Sequence, residues 1–281
     1  MGDFDIEERT KTQLEEFANS LKMEWDSPAF DGKMLLLVEY ENDKKCYFKL
    51  FNHDKVELRT TTGCNCMKRL FDVIQSYDIP NFAIQDSDFA RVCGKMPAES
   101  NYFITDCHDH EMMCLSNAEV MASVFENLAI AYDSTLVSTT FDELKMLTYF
   151  KWYNYHHHLN VNFKGYKPRG KEKADLQSFD SIYKDVKPQS PKCSTVITEA
   201  DVLAFVRSQK PQSVFEITNG HDFLDMLSRN IEEKYKLHGV TRDSLRPIIY
   251  SNFTFNRFKG TQLFHYISSW AGNIGDSLFA T

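Results

Sequence analysis

The apolar run Met34-Leu35-Leu36-Leu37-Val38 constrains the fold more than any other segment. It has no polar side chain to turn towards water, so it reads as a strand buried on both faces, as in parallel sheets covered by helices. Three more strand-like segments follow at 56–60, 81–85 and 102–104. Helices are predicted between and around them, over 8–23, 43–51, 64–77 and 117–132. In the first, Leu14, Phe17 and Leu21 recur at three- and four-residue steps; in the third, Met67, Leu70, Val73 and Ile74 share one face. Strands alternating with helices at this spacing imply an α/β fold, a mainly parallel sheet with right-handed crossovers. Such sheets present ligands at the carboxyl ends of their strands.

Beyond residue 140 the strand pattern stops. Helices are predicted over 141–158, 198–208, 221–236 and 261–270, with Thr198 and Asp201 spaced as a capping pair. Residues 164–192 collect Gly, Pro, Ser and charge and read as an irregular connector. The expected layout is an acidic helical segment at 1–32, an α/β domain at 33–135 and a mostly helical C-terminal region at 136–281.

Hydrophobic residues make up 42% and charged residues 26%, enough apolar surface for a core, which excludes global disorder. No apolar run approaches the roughly 20 residues of a membrane helix. The start, Met1 to Glu8, is acidic where a secretory leader would be basic, and Ile6 does not fit a myristoylation signal. Seven cysteines without framework spacing suit a reducing compartment. The expectation is a soluble cytoplasmic protein with no membrane contact. Residues 1–43 hold 12 acidic and 4 basic side chains, which accounts for the whole net charge of −8. The remaining body is neutral, so nucleic acid is not excluded as a partner.

The chemical signal is acidic. Glu39 ends the first strand with Asp43 four residues on, and Asp86-Ser87-Asp88 ends the third. Along a strand, residues two apart share a face, so Asp86 and Asp88 are expected to share one cation with Glu39. Clustered carboxylates repel unless a cation neutralises them, and hard oxygen ligands favour Mg²⁺ or Mn²⁺. Glu39, at a strand edge, is expected to be exposed, so that its loss costs chemistry and little stability.

Leu37-Val38-Glu39, Asp43 and Asp86-Ser87-Asp88 together resemble a TOPRIM domain, the metal-binding α/β module of topoisomerases, DnaG-type primases and OLD-family nucleases. The segment Ile104-Thr105-Asp106-Cys107-His108-Asp109-His110-Glu111 is similar to the Thr-Asp-x-His-Asp-x-Glu stretch of one TOPRIM/OLD-like bacterial family, and Asn219-Gly220-His221-Asp222 is similar to a second signature of it. These matches run from about Leu35 to Leu227. The resemblance implies a metal-dependent nuclease, the toxic effector of anti-phage defence systems of the PARIS type, working beside an ABC-type ATPase on RNA, including tRNA, or DNA. It implies Glu39, Asp86 and Asp88 as metal ligands, and Glu39, Asp43, Asp109 and Glu111 as catalytic residues, with His108 as a proton donor. It leaves a homodimer open. TOPRIM domains usually have Gly after the motif Glu; here it is Tyr40, which favours the rival, a non-catalytic metal- or phosphate-binding subunit of an ATPase complex.

Asp109 and Glu111 equally suit the cap of a following helix. His156-His157-His158 cannot all face one ion from a helix and reads as a helix end, and Cys64-x-Cys66 lacks a second ligand pair and reads as buried thiols. Asn219 to Asp222 suits a turn and helix start. Lys164, Lys167, Arg169, Lys171 and Lys173, interleaved with Phe163 and Tyr166, suit phosphate contact and base stacking, or a solvated loop.

Overall fold

The computed structural model describes residues 11–61, 64–210, 212–272 and 275–280. Four strands form one sheet: β1 (Met34–Val38), β2 (Val56–Thr60), β3 (Asn81–Gln85) and β4 (Tyr102–Ile104), in the order β2-β1-β3-β4 and all parallel. The chain is therefore α/β. The helices are α1 (Lys11–Trp25), α2 (Glu41–Phe48), α3 (Cys64–Ile74), α4 (His110–Leu115), α5 (Ala118–Asn127), α6 (Ser134–His157), α7 (Lys173–Leu176), α8 (Phe179–Val186), α9 (Glu199–Ser208), α10 (Val214–Ile217), α11 (Gly220–Tyr235), α12 (Arg242–Asn252), α13 (Phe255–Phe258), α14 (Gln262–Ala271) and α15 (Gly275–Leu278). Among the described residues, no helix is long and apolar enough to cross a membrane.

The chain divides into two compact units, and neither is continuous in sequence. The first comprises Met1–Asp86, Met96–Asp106 and Phe253–Thr281; the second comprises Ser87–Lys95 and Cys107–Asn252. The division cuts across the chain-order layout read from the sequence, because the sheet needs cover on both faces. Leu35, Leu37 and Ala83 point to one face and pack with Leu14, Leu21, Met67, Leu70 and Phe71 of α1 and α3. The alternate residues face the other way. There Phe82 meets Phe51 at 5.7 Å and Trp270 at 5.5 Å, and Phe103 meets Trp270 at 5.7 Å. Phe258 and Phe279 extend this ring cluster, and Ala280 N–H donates to the Leu50 carbonyl at 3.0 Å. Asp106 fastens the same segment, its carboxylate accepting the Gln262 and Leu263 amides at 2.6 and 2.8 Å at the start of α14.

In the second unit α6 and α11 pack side by side, and α11 meets α12. The expected connector holds α7 and α8, whose Phe179, Ile182 and Val186 are buried on one face. Its basic residues are largely engaged: Arg169 pairs with Glu232, Lys171 with Asp185 at 2.7 Å, and Lys173 with Glu143 at 2.9 Å. His156 and His157 lie against Phe205 at the end of α6, and His158 closes that helix in the left-handed conformation. Cys66 is buried; Gly63 and the Cys64 side chain lie outside the described residues.

Candidate functional site

From β1 the chain crosses to β2 on one side, while β3 lies on the other. The crevice between the carboxyl ends of β1 and β3 is therefore the topological switch point of the sheet, where open α/β folds take ligands. Glu39 follows β1 and Asp86 follows β3, while Asp43 is the third residue of α2. Asp43 and Asp86 bring carboxylate oxygens within 4.8 Å of each other. Glu39 Oε1 accepts the Asp86 amide at 3.3 Å. Asp43 also serves the backbone, Oδ2 accepting the Tyr40 amide at 2.9 Å at the start of α2.

Two close carboxylates, one of them buried, repel each other unless a cation sits between them, and their oxygens are hard donors. The pair is able to hold a metal ion. Glu39 is only 5% exposed, contrary to the exposed edge expected of it. It lies directly after an interior strand, so its carboxylate is walled in. Tyr40 has φ −133°, extended backbone open to any residue, and its side chain is half exposed, so no glycine is needed here.

Asp88, Asp109 and Glu111 belong to the second unit. The alternation that grouped Asp88 with Asp86 ends with β3 at Gln85; Asp88 itself has φ +46°, and its amide donates to the His108 carbonyl at 2.6 Å. Burial pushes the Asp88 carboxyl upward, with His108 opposing. For His108 burial acts downward, but the Asp109 hydrogen bond at 3.2 Å and the Asp109 and Asp88 charges outweigh it and raise its pKa.

Asp109 is the N-cap of α4, Oδ1 accepting the Met112 amide at 2.9 Å. Its Oδ2 accepts the Gly220 amide at 2.6 Å, so one carboxylate closes the first turns of two helices. Gly220 is required by that approach: a Cβ there would stand 2.9 Å from Glu111 Cβ and 3.0 Å from Asp109 Cγ. Asn219 caps α11, its Oδ1 accepting the Asp222 amide at 3.1 Å, which matches the turn and helix start read from the sequence.

Glu111 is fully buried. Oε1 accepts Arg246 Nε at 2.9 Å and faces His221 Nε2 at 3.5 Å, while Oε2 faces His110 Nε2 at 3.3 Å. Burial alone would raise its pKa, but His110, His221 and Arg246 hold it well below the usual carboxylate range. Arg246 and Tyr250, which complete this network, escaped sequence reading because α12 carries Pro247 inside it and no motif marks it. The first turn of α11 opens on a cavity of about 750 Å³ lined by Lys151, Phe163, Tyr166, Lys167, His221 and Arg242 among others.

No family model, curated protein or solved structure matches this chain.

Proposed function

We propose that this chain is a Mg²⁺- or Mn²⁺-dependent nuclease of TOPRIM-like type. The observation that carries the reading is the position of Asp43 and Asp86, with Glu39 beside them, at the switch point of a parallel sheet. Acidic side chains at a ligand crevice repel phosphate unless a cation mediates. A divalent ion there supplies activation of water and stabilisation of charge on phosphodiester oxygens. Asp43 and Asp86 hold it, and Glu39 holds the backbone of Asp86 in place through the amide. The resemblance adds the biological frame: a defence effector acting on tRNA, other RNA or DNA, restrained by an ABC-type ATPase; the acidic section 1–43, which carries the whole net charge, is the docking surface we propose for it.

A second reading has its own observation. Asp43 and Glu39 both bond to backbone amides, which is what purely structural carboxylates do. On that reading the chain is a non-catalytic subunit of an ATPase complex.

One experiment separates the two. Wild type and Asp86→Asn are titrated with Mn²⁺ by calorimetry and incubated with tRNA, single-stranded and duplex substrates. Metal binding and cleavage by wild type, both lost in a folded Asp86→Asn, support the nuclease. Metal-independent behaviour, or no cleavage of any substrate, refutes it.

A further inference from the structure

We propose that the cavity of the second unit binds one ribonucleotide unit, with its phosphate on Lys167 and Arg242, its base against Tyr166 and its ribose hydroxyls on Asp225. This inference rests on the second unit alone and does not depend on the nuclease reading.

The cavity, about 750 Å³, falls within the size range of small-molecule sites. Its wall carries both charge signs, which a simple anion or a simple cation would meet with repulsion. The ligand it fits is therefore one with an anionic end and hydroxyl donors elsewhere. Several wall charges are already engaged. Lys151 pairs with Asp222, and Arg169 is held by Glu232, Ser228 Oγ and the Val240 carbonyl, which anchors the loop at 163–170. Lys167 forms no ion pair among the described residues. Arg242 has only long contacts, 3.6 Å to Asp225 and 3.8 Å to Asp243. These two are the cations available to a phosphate.

Four further features point the same way. The cavity lies at the N-terminal end of α11, a 16-residue helix whose partial positive charge favours an anion. The amides of Gly220 and Asp222 are taken by Asp109 and Asn219, whereas that of His221 is bonded to no described residue. Tyr166 presents an aromatic wall and is held by Lys171, 5.4 Å from its ring centre, while Phe163 is fixed against Phe150 at 5.1 Å. Tyr166 Oη and Arg242 Nε are both out of solvent without a hydrogen-bond partner, so the wall itself leaves two donors unsatisfied. Asp225, whose carboxyl burial pushes upward, lacks a close partner and is placed to accept from a ribose diol.

The test is calorimetric titration of the full chain in EDTA, where metal-dependent chemistry at the sheet edge plays no part. The probes are AMP, UMP, deoxy-UMP, uridine, inorganic phosphate and a 5′-phosphorylated trinucleotide. A ribonucleoside monophosphate should bind at least about tenfold more tightly than uridine or phosphate alone. Lys167→Glu, a change on an exposed side chain, should weaken binding about tenfold or more, and Asp225→Asn should erase the preference for ribose over deoxyribose. Comparable affinity for monophosphate and trinucleotide assigns the site to free nucleotides or chain ends; binding of the trinucleotide alone assigns it to a nucleotide within a chain. No binding by any nucleotide, or binding indifferent to Lys167→Glu in a protein with unchanged melting, overturns the proposal.

Discussion

Gly220→Ala separates packing from intrinsic helix preference, because the two forecast opposite signs. At the first position of α11, Ala is favoured over Gly by up to about 1 kcal/mol. The structure opposes the change: the new Cβ would lie 2.9 Å from Glu111 Cβ, 3.0 Å from Asp109 Cγ and closer still to Asp109 Oδ1. Asp109 cannot swing aside, since its carboxylate is buried and accepts amides from both Met112 and Gly220. Overpacking of this kind costs about 1–3 kcal/mol. Loss of the charge-assisted bond from the Gly220 amide costs about 1.5–3 kcal/mol more if the carboxylate is displaced. The expected net loss is on the order of 2–4 kcal/mol. Trp152 is buried in the second unit, so its fluorescence in a Trp25→Phe, Trp270→Phe background follows that unit through urea unfolding. A Gly220→Ala protein as stable as its parent, or more so, would refute the reasoning.

Glu111→Gln leaves Arg246 buried without its anion and should cost about 3–5 kcal/mol near neutral pH. Because the folded-state pKa of Glu111 lies below its unfolded value, its contribution is present above that unfolded value and lost as pH falls towards the folded one; melts from about pH 7 to about pH 3 should show wild type and variant converging. His108 carries the opposite sign: its raised pKa gives stability that is present below the unfolded value and lost as pH rises through the folded one, so His108→Asn should flatten the neutral-to-alkaline limb of the stability curve. Phe258→Ala removes a fully buried ring between Phe51, Phe253 and Phe264 and should cost about 3–5 kcal/mol, read by Trp270 fluorescence in urea.

β1, β3 and β4 were legible as short, mainly apolar segments bounded by turn or charged residues, and β2 by its alternation, with Val56 and Leu58 buried and Glu57 and Arg59 between and after them. Helix starts at Thr198 and Asn219 were legible because capping is local chemistry between residues three apart. The discontinuous units were not. Nothing near Phe82 or Phe103 says that Trp270 will cover them, since ring packing between residues so far apart in the chain has no local signature. α8 was hidden by its basic, Pro-containing surroundings, although Phe179, Ile182 and Val186 keep helical spacing. At the sheet edge, Glu39 and Asp86 could be placed by counting from strand ends. Within the first unit the carboxylate at ligand distance from Asp86 is that of Asp43, and its placement depends on how α2 starts, a detail of turn geometry rather than of strand period.

The division of the chain also sets an order of assembly. β1 to β4 are made early, but apart from Phe51 the rings that cover their second face come from the segment that begins at Phe253. At about 5–20 residues per second, the ribosome needs roughly 8–30 s after β4 to supply them. The continuous stretch Cys107–Asn252 is synthesised whole in that interval, ahead of those rings. Until then Phe82 and Phe103 lack Trp270 and lie on an incompletely covered apolar face of a nascent sheet, the kind of surface that chaperones hold and that aggregates capture. The strands synthesised first are the last to be finished, and a pause in translation before Phe253 exposes the sheet rather than the helical unit.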